Sequence, residues 1–224
     1  NGVTLYLRDQ KETPTCSIKM AFMGGTRIED EKLEGLAELY SRIWPAGSAK
    51  FSENQINLKL DTLASSMSCF SGRNTVGISG EYLSVFQKDM MEMIVDTIQT
   101  PIFDEKIIER EKSIQKNQIQ SQQDNPSQVC IKEFMKMMFP NHPYSREILG
   151  TNESLELIKR DDLVSYHKAI LNHQNITICA VGDFNRDNLG ENLNRLIKSM
   201  PSGKRKDRRS ARSEITKDEC SFKE

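Results

Sequence analysis

Residues able to do chemistry are present in this chain but scattered. The three histidines are His142, His167 and His173, and no two stand at the i, i+3 or i+4 spacing that sets a pair of metal-ligating imidazoles on one helix face. His167 and His173 flank a helix end and read as packing or surface residues. The five cysteines, Cys16, Cys69, Cys130, Cys179 and Cys220, are irregularly spaced, with no Cys-x-x-Cys pair that would suit a thiolate zinc site. Their odd number argues against a disulfide framework, and they read as buried, reduced thiols. No serine lies in a Gly-x-Ser-x-Gly elbow, and no Gly-x-x-x-x-Gly-Lys-Ser/Thr phosphate loop is present. Gly24-Gly25 alone reads as a turn.

The stretch 35–48, GLAELYSRIWPAGS, has the look of a functional helix without residues that could catalyse a reaction. Leu33, Leu36, Ala37, Tyr40 and Trp44 fall on one helical face, and Pro45 and Gly47 end the run. Glu38 and Arg42 stand at i, i+4 with the acid first, the better order for a helical ion pair, worth about 0.2–0.5 kcal/mol when exposed.

The elements around it alternate between hairpins and helices. Period-two patterning predicts strands over 2–8, 16–23, 67–71, 75–82 and 176–182, the last apolar enough to be central, with a turn near Gly72–Asn74. Ser52 and Gln55 form a capping-box signature for a helix over 53–64. Further helices are expected up to Pro101, over 104–124 with Ile107, Ile108, Ile114 and Ile119 as its buried stripe, from Pro126 to before Pro140, over 160–171, and from about 186 to 200. The run FMKMMF (134–139) suits either core packing or an exposed apolar patch that meets a partner. Strands and helices in this mixed order predict an α+β fold, a mostly antiparallel sheet with helices on one face, rather than a doubly wound parallel one.

With 224 residues, a single domain over 1–200 can bury a real core, and the polar segment 201–224 reads as a linker toward a following domain. That segment holds Lys204, Arg205, Lys206, Arg208, Arg209 and Arg212 without interleaved aromatics, the pattern of a solvated linker rather than a nucleic-acid patch. A net charge of −1 gives no global field favouring nucleic acid or an anionic membrane. No apolar run approaches the roughly 18 residues of a membrane-spanning helix. The chain opens on NGVTLYLRD, already strand-like and without an initiator Met, as expected of a piece of a longer protein.

In order along the chain, NGVTLYLRD, TCSIKMAFMGGTRIED, GLAELYSRIWPAGS, PIFDEKIIEREKSIQKNQIQSQQDNP, FPNHPYSREILGTNESLELIKRDDLVSYHKAIL and NITICAVGDF resemble the N-terminal domain of the pitrilysin/insulinase-like zinc peptidases and of mitochondrial processing peptidase. The resemblance runs from about residue 1 to 199. In that family the first helix carries His-x-x-Glu-His, whose histidines bind zinc and whose glutamate activates a water, and a glutamate on a later helix completes the metal shell. By the resemblance, the two histidine positions fall on Glu38 and Arg42, the base position on Ser41 and the third ligand position on Gln118. Glu111 matches a family acidic position and is a candidate third member of the Glu38–Arg42 pair.

The resemblance therefore implies a non-catalytic copy, with no catalytic residue and no metal or other cofactor bound by this chain. FSGRNTVGISGEYL looks like such a copy from the second half of a fused protein, or from a non-catalytic subunit. Zinc is expected only in a catalytic peptidase domain, on the same chain or on a partner subunit, with which this domain would form the wall of a chamber for peptide substrates. The alternative is a stand-alone scaffold or binding protein of the same fold, for which the respiratory-complex core subunits of the family are the precedent. The segment 141–150, NHPYSREILG, matches a family loop without an assigned role.

Overall fold

The computed structural model of the chain describes residues 3–140 and 142–203. Five strands, β1 (Thr4–Asp9), β2 (Thr15–Met23), β3 (Ser66–Ser71), β4 (Thr75–Leu83) and β5 (Ile176–Gly182), make one sheet in the order β1-β5-β2-β4-β3. β1 and β5 run parallel, and the other three pairs are antiparallel. The expected strands are all present, with ends moved by no more than two residues. β5 is interior but not central: that place belongs to β2, with β5 and β4 on either side. The 201–224 segment lies outside the described residues beyond Gly203.

The alternation of β2 decides which face is buried. Cys16, Ile18, Met20 and Phe22 are buried, while Thr15, Ser17 and Lys19 between them are exposed. Register places those four opposite Tyr82, Gly80, Ile78 and Val76 of β4, and opposite Gly182, Ala180, Ile178 and Ile176 of β5. All twelve positions belong to the face that packs on helices, so a slip of one residue in any of these strands would turn its buried set to the other face. Gly80 has a specific reason to lack a side chain: a Cβ there would stand 2.8 Å from Cδ1 of Ile94.

Among the described residues, eight α-helices follow the chain order: α1 (Leu36–Ile43), α2 (Glu53–Thr62), α3 (Gln87–Gln99), α4 (Glu105–Gln123), α5 (Pro126–Met138), α6 (Asn152–Leu157), α7 (Arg160–Ile170) and α8 (Arg186–Ser199). The Ser52–Gln55 capping box opens α2 as expected, and Pro126 opens α5 with the Asn125 side chain as its cap. α1 is the most deeply set: Leu36, Ala37, Leu39, Tyr40, Ile43 and the following Trp44 are buried. Each large apolar side chain so buried contributes about 1.5–3 kcal/mol relative to exposure. Trp44 donates Nε1–H to the Thr97 carbonyl at 3.0 Å, so its polar atom is not orphaned.

Four further expectations need correction. The first helix starts at Leu36, not Leu33, because Gly35 adopts φ +90°, and Glu31–Leu33 form a separate 3-10 turn. The buried stripe of α4 is Ile108, Lys112, Gln115 and Ile119, whereas Ile114 is exposed and Ile107 only partly covered. No residue of α5 is fully buried, and Ile131, Phe134 and Met137 are exposed, so the methionine run is not core. Cys16 is buried and Cys69 partly so, but Cys130 and Cys179 are exposed.

Candidate functional site

Three elements bring the sequence-flagged residues together. α1 begins abruptly at Gly35, whose positive φ turns the chain into the helix. α4 is anchored beside it by Gln115, fully buried, whose Nε2 donates to the Gly35 and Leu149 carbonyls at 3.2 and 2.9 Å. Gln118 follows Gln115 by three residues and so shares its side of the helix. The end of β3 approaches from the sheet, with Ser71 on the same face as Met67 and Cys69.

Glu38, Arg42, Gln118 and Ser71 meet there in one hydrogen-bonded cluster. Arg42 donates from Nε and Nη2 to Oε1 of Glu38, at 3.0 and 2.7 Å, and from Nη2 to Oε1 of Gln118 at 2.6 Å. Ser71 donates its hydroxyl to the other carboxylate oxygen of Glu38 at 2.5 Å. The charged pair is about one-fifth exposed on each side, so it is shielded from water more than a surface pair. One carboxylate and one guanidinium cancel in charge, and both carboxylate oxygens are engaged.

The other flagged residues lie elsewhere. Ser41 is buried and turns its hydroxyl back to the Glu38 main-chain carbonyl at 2.9 Å, away from the cluster's side-chain bonds. Glu111 accepts from Arg110 Nε at 3.0 Å, and Arg110 also pairs with Glu53. It does not join Glu38 and Arg42: seven residues of helix separate it from Gln118, about 10 Å along the axis. His167 is buried on α7, with Nδ1 2.7 Å from the Tyr40 hydroxyl, among the rings of Tyr40, Trp44 and Phe103. Burial pushes its imidazole down to about 4. His142 accepts the Tyr144 N–H and caps a 3-10 turn. Among the described residues, no group of three or more His, Cys, Asp or Glu side chains converges as a metal shell would require.

The segment 142–150 acquires a structural role. Arg73, in the β3–β4 turn, donates to the Tyr144 and Arg146 carbonyls, and Asn74 donates to the Tyr144 hydroxyl. Arg146 in turn donates to the Glu29 carbonyl at 2.7 Å. This segment is thereby pinned against the approach to α1. Ser71 and Gln115 were not singled out by sequence. The period of β3 places Ser71 on the helix-facing side, a signal that could have found it. Gln115 lies in a run of polar residues that gave no such signal.

A model of the insulinase family, Peptidase family M16, matches residues 4–152. An uncharacterized zinc protease of Rickettsia bellii is 22% identical over 205 residues, covering 92% of this chain and 50% of that protein. The beta subunit of mitochondrial-processing peptidase of Bos taurus is 27% identical over 194 residues, covering 85% of this chain and 39% of that subunit. The chain thus spans half or less of the length of these relatives. Among solved structures, a peptidase M16 inactive domain from Pseudomonas fluorescens superposes with a TM-score of 0.84 at 20% identity, over 91% of this chain and 50% of that one. The chain belongs to the insulinase family of peptidases, family M16.

Proposed function

We propose that this chain is a zinc-free, non-catalytic domain of an M16 protein, which pairs with a catalytic half and contributes wall to the chamber that holds peptide. The observation that carries the reading is Arg42 bonded to both Glu38 and Gln118. By the family resemblance these three are the positions of the three zinc ligands. The side chains present do not fit the metal. A guanidinium stays protonated and repels a cation, a glutamine carbonyl is a poor zinc ligand, and the single carboxylate is already committed to Arg42 and Ser71. Ser41 offers no base for water activation, because an unassisted hydroxyl does not take up a proton near neutral pH. The cluster is instead a brace that ties α1, α4 and β3 together where a metal would otherwise do so.

The exposed side chains Ile131, Phe134 and Met137 on α5 support a surface meant for another body, as an apolar helical stripe is costly to leave in water. The length of the relatives supports a second half of comparable size.

Two measurements test the reading. Purified chain is analysed for zinc and assayed for peptide cleavage with and without a chelator; less than a tenth of an equivalent of zinc and no cleavage are expected. It is then mixed with the His-x-x-Glu-His-bearing half from the same source, and a one-to-one complex is sought by native mass spectrometry. Stoichiometric zinc with chelator-sensitive cleavage by the isolated chain would overturn the non-catalytic assignment, and failure to form the complex would overturn the pairing.

A further inference from the structure

Glu29 stands outside the cluster yet holds the same helix. Its carboxylate is buried, with Oε1 accepting the Ala37 N–H at 2.6 Å and Oε2 the Gly35 N–H at 3.3 Å. These amides open α1 and have no partner within the helix. The 146–150 segment is pressed on the same turn. Arg146 donates to the Glu29 main-chain carbonyl, a Cβ on Gly150 would stand 2.1 Å from the Glu34 carbonyl oxygen, and one on Gly35 would stand 2.6 Å from that of Leu149. Gln115 of α4 closes the knot by donating to Gly35 and Leu149 together. One buried carboxyl group thus sits where the approach to α1, its first turn and the 146–150 segment are joined.

The charged and titratable groups facing Glu29 are few. Glu34 precedes α1, Arg146 comes from the segment across, and Tyr166 comes from α7, with its hydroxyl accepting the Gly25 N–H. Glu31 and Glu147 stand behind Glu34 and add negative charge. α4 contributes the neutral Gln115.

We propose that Glu29 is a protonation-dependent latch that sets how firmly the first turn of α1 and the 146–150 segment close on one another. In the protonated state the carboxyl is buried without charge, and its carbonyl oxygen still accepts the short bond from Ala37. In the ionised state a charge is buried beside Glu34, and the two N–H donors and Arg146 repay only part of its lost hydration. Opening the turn to water relieves that cost. Burial, opposed by the Ala37 and Gly35 N–H groups, raises the carboxyl from 4.5 to about 7. The folded value lies above the open one, so the latch is firm below about pH 4.5 and loosens as pH rises through about 7. Within that window the opening equilibrium of the turn rises by at most about tenfold per pH unit.

The test is carried out on the full chain by NMR. The Glu29 carboxyl carbon is titrated, and exchange of the Gly35 and Ala37 amides, corrected for the intrinsic pH dependence of exchange, is followed from pH 5 to 8 in wild type and in Glu29→Gln. The expected result is a carboxyl midpoint near neutrality, protection that falls with rising pH in wild type, and a flat profile in the variant. A Glu29 midpoint in the ordinary carboxylate range, or a pH profile shared by the variant, overturns the proposal. Should Glu29→Gln not fold, the wild-type data decide: coincident carboxyl and exchange midpoints support the latch, and separate ones overturn it.

Discussion

Arg42 Nη2 lies 2.7 Å from Oε1 of Glu38, one turn back on α1, and 2.6 Å from Oε1 of Gln118 on α4. One nitrogen therefore joins two helices, while the carboxylate it holds reaches the sheet through Ser71. Arg42→Ala leaves a shielded carboxylate with only the serine donor, so a loss of about 1–3 kcal/mol of stability is expected. A double-mutant cycle with Glu38→Gln and Arg42→Met, read by urea denaturation, should return a favourable coupling of at least about 0.5 kcal/mol. A coupling indistinguishable from zero would show that the cluster is not a brace.

Zinc should not return one residue at a time. Gln118→Glu places a second carboxylate on Arg42 and strengthens the existing pair rather than opening a metal site, because the guanidinium cannot give up its proton. Only the full set Glu38→His, Ser41→Glu, Arg42→His and Gln118→Glu removes the fixed cation and supplies three ligand-type side chains with a base. Metal analysis of the four single variants and the combined one is expected to show zinc in the last alone, without peptidase activity from the isolated chain. Stoichiometric zinc in any single variant contradicts this account.

The strands were legible because each inward position of β2 is apolar and its outward positions Thr15, Ser17 and Lys19 are polar, so a register slip would expose the apolar set. The meeting of Glu38 with Arg42 was legible too, since it depends on helical spacing alone. Gln118 was placed by the family pattern, and its bond to Arg42 depends on how α4 lies on α1. The misreading of α4 has a specific cause. On α4 the apolar residues were followed, but the buried face also contains Lys112, paired with Glu109 on the same helix, and Gln115, whose amide is bonded to the distant Gly35 and Leu149 carbonyls. A buried polar residue with partners far along the chain leaves no periodic trace. The same holds for Glu29, which caps a helix from eight residues before the amide it holds most closely.

Among the described residues the cysteines divide by exposure, so a thiol reagent should divide them as well. Cys130 on α5 and Cys179 on the open face of β5 are exposed, whereas Cys16 is buried under the helices and Cys69 is partly so. Burial also pushes the Cys16 and Cys69 thiols up, which lowers the share of reactive thiolate. Native protein treated with an aromatic disulfide reagent near pH 8 should be modified rapidly at Cys130 and Cys179, with Cys16 and Cys69 reacting at least about tenfold more slowly until denaturant is added. Peptide mapping assigns the sites. Equal labelling of Cys16 in native protein would contradict the packing of β2.

His167 makes the acid limb of the stability profile. Its ring is enclosed by Tyr40, Trp44 and Phe103, and burial lowers it from 6.5 to about 4. A base whose folded value lies below its unfolded one favours the native state while it is neutral. The contribution is therefore intact above about pH 6.5 and is lost as pH falls toward about 4. The full span corresponds to about 3 kcal/mol, from 1.36 kcal/mol per unit. His167→Asn cannot be charged and keeps an acceptor within reach of the Tyr40 hydroxyl, so it should be less stable at pH 7.5 through lost packing yet lose less on acidification. Denaturant unfolding of both proteins from pH 7.5 to 4.5 isolates this group, because every other titrating side chain cancels in the difference. The gap between wild type and variant should narrow by about 2–3 kcal/mol across that range. A gap that stays constant would show that His167 is solvated or charged in the native state.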